Sequence, residues 1–349
     1  MSSLHKGLGA GLMVAALAVA AGPGLAQDVV RPAAGQWTGG VRSGDDVQEY
    51  FVDLLAPLWV RSEGQLLFNL RGTFLEDAEQ EANAGLVVRR LIPERQMILG
   101  ANLYYDTRWT EQDQTFDQVG LGLELLSRHV DVRANVYQPL TDEEVLSSST
   151  SEDTVLEGSG RSRVATTTTS QLRVYEVAME GFDAEIGFWL PFLDTRAPTA
   201  LFAGYYDFSA DHVDSLSGFK ARLESRIHPN VTLDAEWFEE EALNRTDYFV
   251  GVRVSLPFDF WNGARHPTDA GSAVRPFEQR MQDMVYRDFR IRTAVTGPVV
   301  VDQQVVTQAR PEASSSSTAP RSSPSAPTVA PDPEPSNCYL DENGDVVCN

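Results

Sequence analysis

Polar and apolar residues alternate along QMILGANLYYD, residues 96 to 106. Met97, Leu99, Ala101, Leu103 and Tyr105 fall on one side of an extended chain. Gln96, Gly100, Asn102, Tyr104 and Asp106 fall on the other, and Ile98 is out of place. Successive side chains of a strand point to opposite faces of its sheet, so the stretch predicts a ribbon with one dry and one wet face. The period recurs. In QVGLGLELL, Val119, Leu121, Leu123 and Leu125 share a face, and in HVDVRANVY, Val130, Val132, Ala134 and Val136 oppose Asp131, Arg133 and Asn135. FDAEIGFWL sets Phe182, Ala184, Ile186, Phe188 and Leu190 against Asp183 and Glu185, and GFKARLES sets Phe219, Ala221 and Leu223 against Lys220, Arg222 and Glu224. VTLDAEW and YFVGVRVSL continue the pattern with Asp234, Glu236 and Arg253 on the polar face.

Strict alternation predicts eleven strands, near 49–59, 65–74, 84–91, 96–106, 117–126, 130–139, 173–190, 199–208, 217–226, 231–239 and 246–258. GQWTGGVRS at 35–43 supplies a twelfth, an even count of the kind a single-chain barrel needs to return both ends to one side. The run 173–190 reads as one long strand, because a split at Gly181 would upset that parity. Short links then fall at RSEG, PER, SRH, FLDTRAP and HPN, and every other link is longer or more polar. The Ser/Thr-rich insert 141–171 reads as a mobile surface loop. A faint internal echo relates GANLYYDTR and GLELLSRHVDVRANVY to FAGYYDFSA and ARLESRIHPNVTLDAEW, each a strand, a loop, a strand, a tight turn and a strand.

After Phe258 the pattern changes. RPFEQRMQDMVYRD places Phe277, Met281, Met284 and Val285 at helical spacing, which predicts a short amphipathic helix over 276–288 inside a linker spanning 261–310. Residues 297–307 are apolar enough to run extended, and the Ser/Pro-rich stretch 311–336 has the composition of a disordered linker. In the tail 337–349, CYLDENGDVVC predicts a hairpin on the loop Glu342-Asn343-Gly344, with Leu340 opposite Val346, Tyr339 opposite Val347 and Cys338 opposite Cys348. In an oxidising compartment these two cysteines are expected to form a disulfide.

A soluble sandwich and a membrane barrel both produce alternating strands, and two features favour the barrel. The predicted strands are about as long as the 9 to 11 residues needed to cross a bilayer tilted, whereas sandwich strands usually run nearer five or six. The polar faces carry both charge signs, so Arg71, Glu124, Asp131, Arg133, Asp183, Glu185, Lys220, Arg222, Glu224, Asp234, Glu236 and Arg253 are expected to face and pair across a narrow lumen. Aromatics gather near strand ends, among them Tyr104, Tyr105, Trp109, Trp189, Tyr205, Tyr206, Trp237 and Trp261, where interfacial girdles form. The fold class predicted is all-β: an antiparallel twelve-stranded transmembrane β-barrel over 35–260, with a short post-barrel helix and a disordered C-terminal tail.

Composition narrows the partners. His5 and Lys6 precede an apolar run from Leu8 to Ala21, followed by small residues, which predicts a signal peptide over 1–26 cut between Ala26 and Gln27. The formal charge of −22 argues against a nucleic-acid partner. Catalysis finds little support. GLGLE is a glycine-containing strand with no phosphate-binding helix behind it, and Asp211 and His212 are adjacent residues that point apart. His129, His228 and His266 share no metal spacing, and the tail lacks the distal Glu of a calcium loop. No cofactor or metal is predicted, and the chain is not expected to be an enzyme.

ILGANLYYD, QVGLGLELL, VDVRANVYQPL, EGFDAEIGFWLP, FAGYYDF and the closing GVRVSLPF, together with DLLAPLW and LLFNLRG near the start, resemble the β-domain of inverse autotransporters, the intimin and invasin family. QRMQDMVYRDFRIRT at 279–293 resembles that family's post-barrel segment. The resemblance implies an outer-membrane barrel with both barrel termini at the periplasmic side and a following segment that threads back up the pore. It implies outer-membrane lipid and the barrel-assembly and periplasmic chaperone machinery as partners. A C-terminal segment exported or displayed at the surface would then meet an extracellular ligand in a role related to adhesion. The residues alone leave open a passive channel or structural barrel plugged by its own post-barrel helix.

Overall fold

The computed structural model describes residues 35–44, 47–75, 79–141, 143–158, 162–191, 193, 197–240, 245–258, 277–311, 338–340 and 346–348. The predicted signal peptide with its expected cleavage between Ala26 and Gln27, and the Ser/Pro-rich stretch beyond Pro311, lie outside these residues. The chain divides into two compact units, Met1–Glu152 with Thr169–Gln304, and Asp153–Thr168 with Val305–Asn349.

The first unit is built on a closed barrel. Its wall begins with β1 (Gly35–Gly44), β2 (Gln48–Val60), β3 (Gly64–Leu75), β4 (Gln80–Ile92), β5 (Met97–Trp109), β6 (Thr115–Ser127) and β7 (Val130–Pro139). Two strands outside the wall follow, β8 (Glu143–Glu157) and β9 (Ser162–Ala178). The wall resumes with β10 (Glu180–Trp189), β11 (Thr199–Ser209), β12 (Leu216–His228), β13 (Val231–Glu240) and β14 (Arg245–Phe258). β14 pairs antiparallel with β1, Phe258 opposite Gly35 and Phe249 opposite Gly44, and so closes twelve strands into a cylinder. Closure removes every unpaired edge, which is what allows strands to cross a bilayer. Gly35 and Phe258 therefore sit on one rim, the terminal rim, together with the links after β2, β4, β6, β10 and β12.

The run 173–190 is not one strand. β9 ends at Ala178 and β10 starts at Glu180; β10 pairs with β7 and β11 in the wall, while β9 pairs with β8 and with strands from beyond the barrel. Parity survives because β8 and β9 are inserted as a pair between two wall strands. The Ser/Thr-rich insert is thus a hairpin rather than a loop. Its run Thr166 to Thr169 consists of β-branched residues, which suit a pleated strand.

Register assigns the two faces. Leu123 is 67% exposed on the outside, and Leu70, Leu86, Leu103, Leu121, Val136, Leu201, Leu233 and Val250 share that apolar surface. Trp37 and Trp59 stand exposed toward the terminal rim, and Tyr50, Trp109, Trp237 and Tyr248 toward the far rim. Tyr104 and Tyr206 do not join these girdles; both are buried inside. Adjacent residues of a strand must face opposite ways, so a YY pair can give only one member to lipid.

Beyond the barrel, the helical element is shorter than 276–288. A 3-10 helix covers Phe277–Gln282, and then Val285, Arg287, Phe289 and Ile291 are buried in alternation, the mark of an extended chain. β15 (Thr293–Val295) and β16 (Val299–Pro311) follow, and both pair with β9. In the second unit, β17 (Cys338–Leu340) and β18 (Val346–Cys348) pair with Cys338 opposite Cys348, Tyr339 opposite Val347 and Leu340 opposite Val346. The disulfide expected between Cys338 and Cys348 is corrected here: no disulfide bond is present among the described residues. Opposition of two backbones brings cysteines abreast but does not specify the dihedral of about 90° that a bridge requires.

Candidate functional site: the lumen and its threaded segment

The wet face of the ribbon is a network of ion pairs. Arg133 on β7 reaches Asp131 at 3.3 Å and Glu185 at 2.6 Å. Glu185 also accepts from Arg222 at 2.8 Å, which in turn reaches Glu224 at 3.0 Å. Arg253 bridges Glu224 and Asp234 at 2.9 and 3.5 Å, and Arg42 bridges Asp234 at 3.6 Å to Glu49 at 3.7 Å while also contacting Glu236. Arg71 closes the run on Glu49 at 2.9 Å. Opposite charges thus alternate without a break from β7 round to β3. Lys220 pairs with Asp183 at 3.3 Å, and Glu124 takes both Nε and Nη2 of Arg89, the second at 3.2 Å. All twelve charged residues named from the sequence lie in this interior. A charge removed from water demands an opposite partner and hydrogen bonds, and the network supplies both.

The segment after the barrel runs through this interior from one rim to the other. At the terminal rim, Arg280 donates to both oxygens of Asp131, at 3.0 and 2.7 Å, and also reaches the Ser127 carbonyl. Gln65 and Arg89 hold the Met281 carbonyl at 3.1 and 3.0 Å. Midway, the Tyr286 ring lies 3.5 Å from the Arg222 guanidinium carbon, and its hydroxyl donates to Glu236 at 3.2 Å. Higher still, Arg287 donates to Asp106, Asn83 donates to the Phe289 carbonyl at 3.0 Å, and Arg108 donates to the Ile291 carbonyl. The Ile291 amide donates to Glu81 at 3.1 Å.

Apolar sockets fix the register of the same segment. Met281 sits among Leu91, Ile98 and Leu126. Val285 and Phe289 sit among Leu55, Leu67, Val87 and Tyr104, and Ile291 among Phe116 and Ala178. Ile98, the residue that broke the alternation of its strand, is therefore an inward apolar residue that receives Met281. One space beside the segment, lined in part by Arg42, Glu49, Glu81, Asp183 and Glu236, is about 90 Å³.

Residues 29–288, most of the chain, match the family described as "Inverse autotransporter, beta-domain". The chain belongs to the inverse autotransporter β-domain family. A structure solved in work titled "Unveiling the Mechanism Behind the in-meso Crystallization of Membrane Proteins" is 17% identical, with a TM-score of 0.56 over 75% of this chain and 100% of that one. Fainter likenesses are to the NanC porin, at 12% identity and a TM-score of 0.33 over 63% of this chain and 99% of that one, and to the β-domain of the Bordetella autotransporter BrkA, at 11% and 0.29 over 64% and 98%. No curated relative matches the chain.

For an inverse autotransporter barrel, an apolar outer surface and a charged lumen are consistent with residence in the outer membrane. Among the described residues no helix is long and apolar enough to cross a membrane. His212 lies in the turn after β11 with a left-handed backbone, φ 65°, and among the described residues no group of His, Cys, Asp and Glu could hold a metal. Sequence reasoning placed Asp106 on the wet face without counting it among the lumen charges, and it passed over Arg42, Arg89, Arg280 and Arg287. Asp106 and Arg89 were open to it by parity alone. The two segment arginines were not, since nothing local distinguishes them from exposed linker charges.

Proposed function

We propose that this barrel is an outer-membrane translocator and anchor that carries its own C-terminal segment through the lumen and displays it outside the cell. The observation that supports this best is the continuous course of residues 277–293 from the terminal rim to the far rim, held by side chains of the wall along its whole length. The longest connection, the β8–β9 insert between β7 and β10, stands at the far rim, and outer-membrane barrels carry their longer extensions outside, so the far rim faces outward. Membrane lipid surrounds the apolar exterior, and insertion calls on the barrel-assembly machinery and periplasmic chaperones. The displayed part begins at β15 and carries the 337–349 tail, where an extracellular ligand would bind. An epitope tag after Pro335 tests the reading: protease added to intact cells is expected to remove it. Cleavage only after the outer membrane is opened would place the tail in the periplasm and end the proposal.

A second reading, a barrel whose pore is shut by its own segment, has one observation in its favour. Residues 277–293 occupy the lumen from rim to rim, and one space beside them, lined in part by Arg42, Glu49 and Asp183, measures only about 90 Å³.

A further inference from the structure

We propose that the far-rim hairpin of β8 and β9 is the receiving template for the exported chain. β9 captures residues 293–303 by strand pairing as they clear the lumen, and this capture makes their passage one-way. The inference rests on the display reading above and adds what would bias the movement.

A chain in an open pore diffuses in both directions, and its position shifts outward only if states on the far side are lower in free energy. Strand addition to an unpaired edge is a general way of gaining that difference, because every residue that docks satisfies backbone groups otherwise left to water. β9 is placed to do this. It joins the wall strand β10 through Met179 alone, so its base is fixed to the barrel, and Val177, Ala178 and Met179 are buried.

Docking starts at the lumen exit. The Met179 amide donates to the Arg292 carbonyl at 2.8 Å; Thr293, Ala294 and Val295 then pair with Ala178, Val177 and Glu176. Thr296 closes the first turn of the ladder twice over. Its amide donates to the Tyr175 carbonyl at 2.8 Å, and its hydroxyl accepts from the Tyr175 amide at 3.0 Å. Further along, Gln303 reaches Ser170 at 3.4 Å. Ala294 also packs on the apolar cluster of Tyr137, Met179, Tyr206 and Phe208 at the mouth. The other links at this rim are short, the longest running over 210–215, so the extension between β7 and β10 stands out as the one element long enough to receive a strand.

Thr296 gives a test that leaves the barrel wall untouched. Thr296→Pro removes the donor to Tyr175 and the hydroxyl together, while Thr296→Ser keeps both. Pro298 passes the same lumen, so a proline at 296 is no steric bar to threading. Cells expressing the full chain with the tag after Pro335 are pulse-labelled, chased and treated with protease, and barrel folding is checked by heat-modifiable migration. Wild type and Thr296→Ser are expected to expose the tag at the same rate, and Thr296→Pro roughly tenfold more slowly, the factor set by two lost hydrogen bonds. Equal rates for Thr296→Pro and wild type with the barrel folded would overturn the template while leaving display intact. A wild-type tag that protease never reaches in intact cells would overturn display itself, and the template with it.

Discussion

Arg287 of the threaded segment donates to both carboxylate oxygens of Asp106 on β5, at 3.0 and 2.6 Å, with side-chain exposures of 1% and 0%. Asp106 is anchored in turn by Asn83 at 2.9 Å and Gln118 at 3.4 Å, so the acceptor is fixed before the segment arrives. A bidentate pair of this kind sets a register as well as an attraction, because sliding by one residue would face Asp106 with a different side chain. Removing one member strands a buried charge, at a cost of about 3–5 kcal/mol, whereas removing both leaves none. Asp106→Asn is therefore expected to speed hydrogen exchange across residues 284–291 by at least a hundredfold with the barrel intact. Combining it with Arg287→Met should recover most of the protection. A double variant as labile as the single one would show that the pair does not hold the segment.

Gly120 on β6 makes the same contact possible by lacking a side chain. A Cβ there would fall on the Arg287 guanidinium, while one on Gly72 would meet nothing nearer than Phe74 at 3.9 Å. Gly120→Val should therefore loosen the segment by about 1–3 kcal/mol, the usual cost of overpacking, without altering any charge. Gly72→Ala should leave it as it was. Exchange rates of the Arg287 and Phe289 amides in the two variants decide the matter.

Much of the barrel was legible because one physical rule governs it. Lipid outside and a charged lumen inside impose a period of two on every wall strand, and that period carries strand number, facing and the interior charges with it. Where a second force acted, the period misled. Ile98 broke its strand's alternation because a residue nearly 200 positions away needed an apolar socket, and no local pattern announces Met281. β9 merged with β10 in the sequence because both alternate, although only one belongs to the wall. The Ser/Thr-rich insert had the composition of a loop, yet β-branched threonines pair well once a hairpin gives them a partner. Phe277 and Met281 fit one helical turn, but the next residues are drawn out by lumen contacts that a helix could not reach.

On the outer surface, Leu123 lies near the middle of β6 between Ala101 and Ala134 and faces outward. If hydrocarbon covers it, Leu123→Arg should cost about 2–4 kcal/mol, the penalty of a guanidinium near the bilayer midplane. The check is the urea midpoint of folding into lipid vesicles. An unchanged midpoint would mean that this face is bathed in water.

Met281 gives a measure of how firmly the lower end of the segment is seated. Its side chain is 4% exposed among Leu91, Ile98 and Leu126, and its carbonyl is gripped by Gln65 and Arg89. Met281→Ala should cost about 2–5 kcal/mol of seating by emptying the socket, while the backbone contacts persist. Limited proteolysis from the terminal rim should then cut near residue 281 at protease levels that spare the wild type. Ile98→Ala should reproduce the effect from the wall side.

If the threaded segment shuts the pore, removing that segment should open it. Ending the chain after Pro276 removes the segment together with the guanidinium groups of Arg280 and Arg287, which meet Asp131 and Asp106. The emptied lumen would fill with water, and the wall would keep its carboxylates while losing the segment's four arginines, Arg280, Arg287, Arg290 and Arg292, against only three acids, Glu278, Asp283 and Asp288. Asp106 in particular would lose the arginine that neutralises it. The truncated barrel is therefore expected to conduct in planar bilayers where the full chain does not, and to favour cations over anions. Its reversal potential in a potassium chloride gradient reads that preference directly. Asp106→Asn in the truncated barrel should shift the potential toward neutrality. Silence from the truncated barrel would mean that the wall collapses inward without its segment, and that the threaded chain is a structural core rather than a plug.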